Sequence, residues 1–152
     1  MYLWRISNHD TLDGRGGLLA SARWHTRGRP IVYLAATPAG ALVEALVHLE
    51  LKPTHLPASY KLLKAEAPDD LPMMHFSALT DDWRQNETAS RTLGDEWLAR
   101  NQSPLLEVPS AILPETSNFL LNPLHPDAAR INVIWHEAYP FDRRLFEGRA
   151  KD

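Results

Sequence analysis

The segment from Ile31 to Pro53 constrains the fold more than any other part of the chain, because it writes a strand and a helix back to back. Ile31-Val32-Tyr33-Leu34-Ala35-Ala36 reads as a strand in which Ile31, Tyr33 and Ala35 share a face. Thr37-Pro38 follows at once: a threonine able to cap a helix, then a proline at the first helical position, where its missing N–H costs nothing. Leu42, Val43, Leu46, Val47 and Leu49 recur at helical spacing and predict the apolar stripe of that helix, which Lys52-Pro53 would end. Glu44 falls beside the stripe, near Gly40, Ala41 and His48, and its small neighbours leave space over the helix surface.

Elsewhere the elements are short. Tyr2 to Ile6 alternates as a strand with Leu3 and Arg5 on one face, and Ser59 to Glu66 alternates with Tyr60, Leu62 and Lys64 together. Leu105 to Val108, Phe119 to Leu121 and the alternating Ile131, Val133 and Trp135 predict three further strands. A second helix is expected over Glu87 to Arg100, packing through Leu93, Trp97 and Leu98. Asp13 to Gly17 is a glycine-rich loop that does not match G-x-G-x-x-G. Twelve prolines break the remainder into loops. Residues 141–152 form a charged tail carrying Leu145 and Phe146, suited to a short helix or a partner contact. The expectation is one domain over residues 1–152, of α/β or α+β class; periodicity alone does not choose between them.

A net charge of -3 argues against a nucleic-acid binder working through a basic surface. Cations are nevertheless concentrated early: Arg5, Arg15, Arg23, Arg27 and Arg29 lie within the first thirty positions, and the first lysine is Lys52. Guanidinium favours a bidentate grip on phosphate or carboxylate, so a local anion site fits inside an acidic chain. Arg15, Arg27 and Arg29 read equally well as a solvated rim. The absence of cysteine excludes disulfides, thiolate nucleophiles and Cys-type metal sites. His9-Asp10 and His125-Pro126-Asp127 are the compact His/carboxylate pairs, H-E-x-x-H does not occur, and no metal is expected. The start lacks a signal-peptide pattern and no run is long enough to span a bilayer, so the expectation is a soluble, cytoplasmic protein.

Arg23 with Trp24-His25, then Tyr33, Glu44, Ser110 after an apolar strand, and Asn122-Pro123 appear in an order that resembles the RES-domain family, named for its arginine, glutamate and serine. The resemblance runs from Trp4-Arg5 to Ile131-Asn132-Val133. It implies a fold similar to ADP-ribosyltransferases of the diphtheria-toxin type, with split, twisted sheets, helices, and NAD in a cleft. It also implies the toxin half of a toxin–antitoxin pair, neutralised by a partner with an Xre-type helix-turn-helix DNA-binding part, and acting on NAD as substrate with no separate cofactor. Cleaving the nicotinamide–ribose bond passes through an oxocarbenium-like sugar that one carboxylate can stabilise. Glu44 is the expected carboxylate, Arg23 a pyrophosphate clamp, and Arg5 a second cation of that kind. Tyr33 would set its ring on the nicotinamide and its hydroxyl near the ribose, Ser110 would bond the amide or a phosphate, and Asn122 would support the site.

Each residue also has a plainer reading. Glu44 can be a surface glutamate paired with His48 at i+4, and either arginine a surface ion pair. Tyr33 can be a core tyrosine, Ser110 a turn serine and Asn122-Pro123 a turn. Trp24 and His25 adjoin Arg23, where they would line the pocket or, as the simpler role for both, pack. The activity could likewise be protein ADP-ribosylation from the same site, or the chain could be a non-catalytic module that binds NAD or an antitoxin.

Overall fold

The computed structural model describes residues 1–48, 58–76 and 79–146. Seven strands, β1 (Tyr2–Ser7), β2 (Val32–Ala35), β3 (Lys61–Glu66), β4 (Met73–His75), β5 (Leu105–Pro109), β6 (Ser117–Leu121) and β7 (Asn132–Ala138), form one sheet in the order β4-β5-β6-β2-β1-β3-β7. All neighbours are antiparallel except β4 and β5. This settles the class as α+β. The three-residue β4, which follows Pro72, has no periodicity long enough to be read from sequence.

The sheet is continuous but divided. β1 and β3 pair along six positions, from Tyr2 with Glu66 to Ser7 with Lys61, whereas β1 and β2 meet at the single pair Trp4 and Ala35. Two halves, β4-β5-β6-β2 and β1-β3-β7, are therefore joined at one seam, and the strands part on either side of it. The split expected of the fold is present as this seam within one sheet.

Alternation sorts the side chains onto two cores. Leu3, Val32, Leu34, Leu105, Phe119 and Leu121 bury on one face. Trp24, Ile31, Trp83, Trp97, Leu106, Val108 and Leu120 bury on the other, with Tyr33 packed against them. The edge strand β7 is largely exposed, in contrast to the buried Ile131 just before it.

Helix α2 (Pro38–His48) starts where the sequence says, with the Gly40 N–H donating to Thr37 Oγ1 at 3.0 Å. Its buried face is different from the expected stripe. Gly40, Ala41 and Ala45 are buried, Leu42 and Leu46 are half-buried, and Val47 is 59% exposed. The helix lies close over the seam, where only small side chains fit beneath it. Leu49 and the Lys52-Pro53 helix end lie outside the described residues.

Helix α3 (Glu87–Arg100) has the expected bounds, but its deeply buried positions are Ser90, Gly94 and Trp97, with Leu93 and Leu98 only partly covered. Gly94 explains the difference. A Cβ there would stand 1.8 Å from the carbonyl oxygen of Trp24, so the helix rests directly on the 22–25 backbone. The glycine-rich loop contains a single helical turn, α1 (Gly16–Leu19). At the other end, the charged tail begins with Phe141 buried against Tyr60, Tyr139 and Phe146, and Arg143–Leu145 forms one short 3-10 turn. Residues 147–152 lie outside the described part.

Candidate active site

The parting of β1 and β2 beneath α2 opens a cleft with two lobes. Trp4, Arg5, Ile6, Leu34, Ala35, Ala41 and Ala45 line one; Arg23, Trp24, Val47, Glu87, Ala111 and Ile112 line the other. Tyr33, Glu44, His48 and Asn118 line both and form the waist between them. Each lobe thus holds one arginine, and the glutamate stands between the two.

Glu44 is held by three elements. Its Oε1 accepts from Ser110 Oγ at 3.1 Å and from Asn118 Nδ2 at 2.6 Å, and its Oε2 lies 3.5 Å from Nε2 of His48, one helical turn on. Burial would raise the pKa of this carboxyl, but the contacts from His48, Asn118 and Ser110 outweigh it and hold the group below the usual carboxylate range. The side chain keeps 25% of its exposure, so an ionised oxygen remains accessible from the cleft. The i+4 pairing with His48 and a place at the cleft are both realised.

Ser110 stands behind Glu44. It is 2% exposed and does not line either lobe. Its hydroxyl donates to Glu44 and accepts from the Ile112 and Leu113 N–H groups at 3.2 and 3.1 Å. No hydrogen-bonding capacity is left for a ligand, so Ser110 acts on the cleft through the carboxylate it orients. Asn122 is placed away from both lobes. Its amide donates to Asn101 Oδ1 at 2.7 Å and its oxygen accepts from the Leu124 N–H, which closes the Asn122-Pro123 turn.

Asn118, passed over in sequence, takes the place nearest the carboxylate. Register pairs it with Ala35 across β6 and β2, and alternation puts it on the face of Leu120 and Tyr33. Stepping back two positions from Leu120 would have found it. With its amide nitrogen on Glu44, its Oδ1 is buried and has no hydrogen-bond partner among the described residues, which leaves an acceptor at the waist.

Arg23 is half-buried, with 19% side-chain exposure. It donates to the Trp83 carbonyl at 3.4 Å, lies 5.9 Å from the Trp83 ring centroid, and sits 3.7 Å from Glu87. α3 builds this arrangement: Ser90 Oγ donates to the Arg23 carbonyl at 3.0 Å and Arg91 Nε to the Ala22 carbonyl at 2.9 Å. Ser90 and Gly94, small and a turn apart, were the sequence signal for a close backbone approach. Arg5 donates to the Thr11 carbonyl at 3.5 Å; burial lowers its pKa and nearby Asp13 opposes the shift. Such a guanidinium stays charged. Arg15 and Arg29 pair with Asp13 and Asp95 at 3.1 and 3.2 Å on the surface.

Tyr33 lines both lobes, while its hydroxyl is engaged by the Trp24 N–H at 3.2 Å and by His25 Nδ1 at 2.8 Å. Burial raises the phenol pKa, so the group stays protonated. Trp24 is wedged against Phe76 and Trp83 at 6.1 and 5.9 Å between ring centroids, the packing role expected for it. Among the described residues no group of three or more His, Cys, Asp or Glu is placed to hold a metal ion.

A cleft with a fixed carboxylate at its waist and a guanidinium in each lobe suits a ligand that carries negative charge at a distance from a centre turning positive. The family model that matches the chain is the RES domain, over residues 2–143. "Toxin Res" of Pseudomonas putida is 47% identical over 146 residues, spanning 96% of this chain and 100% of that protein. A "Prs ADP-ribosylating toxin" of a Sphingobium species is 34% identical over 155 residues, covering 93% and 94%. In three dimensions the chain matches one in the crystal structure of the M. tuberculosis MbcT–MbcA toxin–antitoxin complex, with a TM-score of 0.73, 14% identity, and coverage of 96% and 86%. With 142 of its residues under one family model and relatives aligned end to end, this chain belongs to the RES-domain family.

Proposed function

We propose that this chain is the toxin of a toxin–antitoxin pair and that it consumes NAD by breaking the bond between nicotinamide and ribose. The observation that carries the reading is Glu44: one carboxylate, kept ionised by Ser110, Asn118 and His48, at the waist of a cleft with Arg5 in one lobe and Arg23 in the other. The pyrophosphate of NAD carries two negative charges for those guanidinium groups. The nicotinamide ring lies against Tyr33. The C1′–N bond breaks with its electron pair going to nicotinamide, which leaves neutral, and the ribosyl cation forms beside Glu44. Attack by water, with loss of a proton, gives ADP-ribose; attack by inorganic phosphate gives the phosphorylated sugar.

The name of the Sphingobium relative favours a second acceptor, a protein side chain, which would use the same first half-reaction. The partner would be a cognate antitoxin of the Xre helix-turn-helix kind, and the cytoplasm the compartment where the chain meets both NAD and that antitoxin. The test is expression without an antitoxin, following growth and cellular NAD together. The reading requires NAD to fall before growth stops, and to fall at least about 30-fold more slowly with Glu44→Gln. Growth arrest at constant NAD would move the activity to a protein target, and unimpaired growth would support the non-catalytic module.

A further inference from the structure

His25 adjoins the arginine of the cleft in sequence yet does not face it. The residue is 2% exposed, lines neither lobe, and sits behind Tyr33. It cannot touch a ligand, so general acid or base chemistry on substrate is closed to it.

Its two ring nitrogens nevertheless fix a proton arrangement. Nε2 lies 2.9 Å from the carbonyl oxygen of Ala20. A carbonyl only accepts, so the ring proton is on Nε2 and Nδ1 carries a lone pair. Nδ1 lies 2.8 Å from the Tyr33 hydroxyl, which must then donate to it. The same oxygen accepts from the Trp24 N–H at 3.2 Å. Burial lowers the pKa of His25, which keeps the imidazole neutral, and raises that of Tyr33, which keeps the donor in place.

The ring of His25 is itself clamped. A Cβ on Gly17 would stand 3.1 Å from Nε2 and 2.2 Å from the Arg29 carbonyl oxygen, so the α1 turn closes directly over the imidazole. The path runs from the Ala20 carbonyl through His25 to the phenol, and from the phenol's ring into the cleft.

We propose that His25 is a positioning residue for the NAD-cleaving reaction, fixing the Tyr33 ring at the waist of the cleft through the hydrogen bond from Tyr33 Oη to Nδ1. This rests on the function proposed above. It refines the expectation that the Tyr33 hydroxyl sits near the ribose: its proton is already committed to His25, and the tyrosine offers substrate its face. Without that bond the Tyr33 hydroxyl keeps, among the described residues, only the longer contact from the Trp24 N–H, and small misplacements of such a surface lower catalysis.

The test compares His25→Leu, which removes both ring nitrogens, with His25→Asn, whose amide reaches the position of Nδ1. Both are made in the wild-type and Tyr33→Phe backgrounds and assayed well below each melting temperature. His25→Leu should lower kcat/KM roughly tenfold, the worth of one hydrogen bond, and His25→Asn should restore most of it. In the Tyr33→Phe background His25→Leu should cost nothing further. Unchanged kcat/KM in His25→Leu, or an equal loss in both backgrounds, overturns the proposal. A histidine that only stabilised the fold would lower the melting temperature and leave kcat/KM unmoved. Ring 15N shifts of the intact chain report the same bond without activity. The proton should be on Nε2, with Nδ1 shifting when Tyr33 becomes Phe; a proton on Nδ1 refutes the arrangement. Wild-type protein that cleaves no NAD would refute the proposed function, while the 15N shifts still decide the bond.

Discussion

Replacing Glu44 with glutamine tests the site most economically, because the structure separates its two expected effects. The amide keeps one carbonyl oxygen where Oε1 accepts from Ser110 and Asn118, so the three-element junction stays bridged. What is lost is charge. Hydrogen bonds to a carboxylate exceed neutral ones by about 1 kcal/mol, and loss of that increment is offset by no longer burying an ion. The fold should therefore lose no more than about 1–2 kcal/mol, a few degrees in Tm. The reaction should suffer more. Removing the anion beside a developing ribosyl cation costs roughly 2–4 kcal/mol of barrier, about 30- to 1,000-fold in rate. Nicotinamide release by purified wild-type and variant protein, alongside thermal melts of both, measures each effect separately. A variant that melts normally and cleaves NAD at the wild-type rate would refute the role of Glu44; one that does not fold would assign the residue to the structure.

Arg23→Ala and Arg23→Lys should both raise KM for NAD, with lysine recovering only part of the loss, since it keeps charge without the planar fork set by Trp83 and Glu87; full recovery by lysine in steady-state kinetics would contradict a bidentate grip. Because the Glu44 carboxyl is held below its ordinary 4.5, its contribution to stability is complete above that pH and is lost as pH falls through the lower folded value. Rate and Tm should therefore decline together only under acid conditions. Asn118→Asp puts a second carboxylate where an amide now lies 2.6 Å from Glu44, which should raise the upper pKa of the pair and move the acid limb of the rate profile towards neutrality. An unmoved limb would show that Glu44 does not govern the profile. A cognate antitoxin should compete with NAD, because two guanidinium groups in the cleft attract a partner's carboxylates; calorimetry showing equal NAD affinity with and without it would place inhibition elsewhere.

The strand-to-helix joint was legible because its signals are local: a strand ending at Ala35, a capping threonine, a proline at the first helical position. The placing of Tyr33 and Glu44 on one cleft follows from that joint. The faces of the helices were harder to read. Leu42 and Leu46 carry the hydrophobic signal of α2, yet Ala41 and Ala45 carry its contacts, since the distance between helix and seam is a tertiary quantity. Ser90 and Gly94 on α3 likewise look polar or neutral and prove to be the closest approach to the arginine loop. Ser110 and Asn122 stand out by their order along the chain, which says nothing about where a side chain's hydrogen bonds are spent, and Asn118 has no such mark. Ser110 spends them on Glu44 and a turn, Asn122 on another turn, and Asn118, two positions before the alternating Leu120, on the carboxylate.

Everything proposed for Glu44 depends on the cleft around it breaking the nicotinamide–ribose bond. The most direct measurement of that cleavage is a time course of purified, antitoxin-free protein with NAD, in buffer with and without inorganic phosphate, with the products identified by mass. One nicotinamide should be released for each NAD lost, in amounts far exceeding the protein, with ADP-ribose or its phosphorylated form as the other product. Folded protein that leaves NAD intact under both conditions would contradict the proposed cleavage.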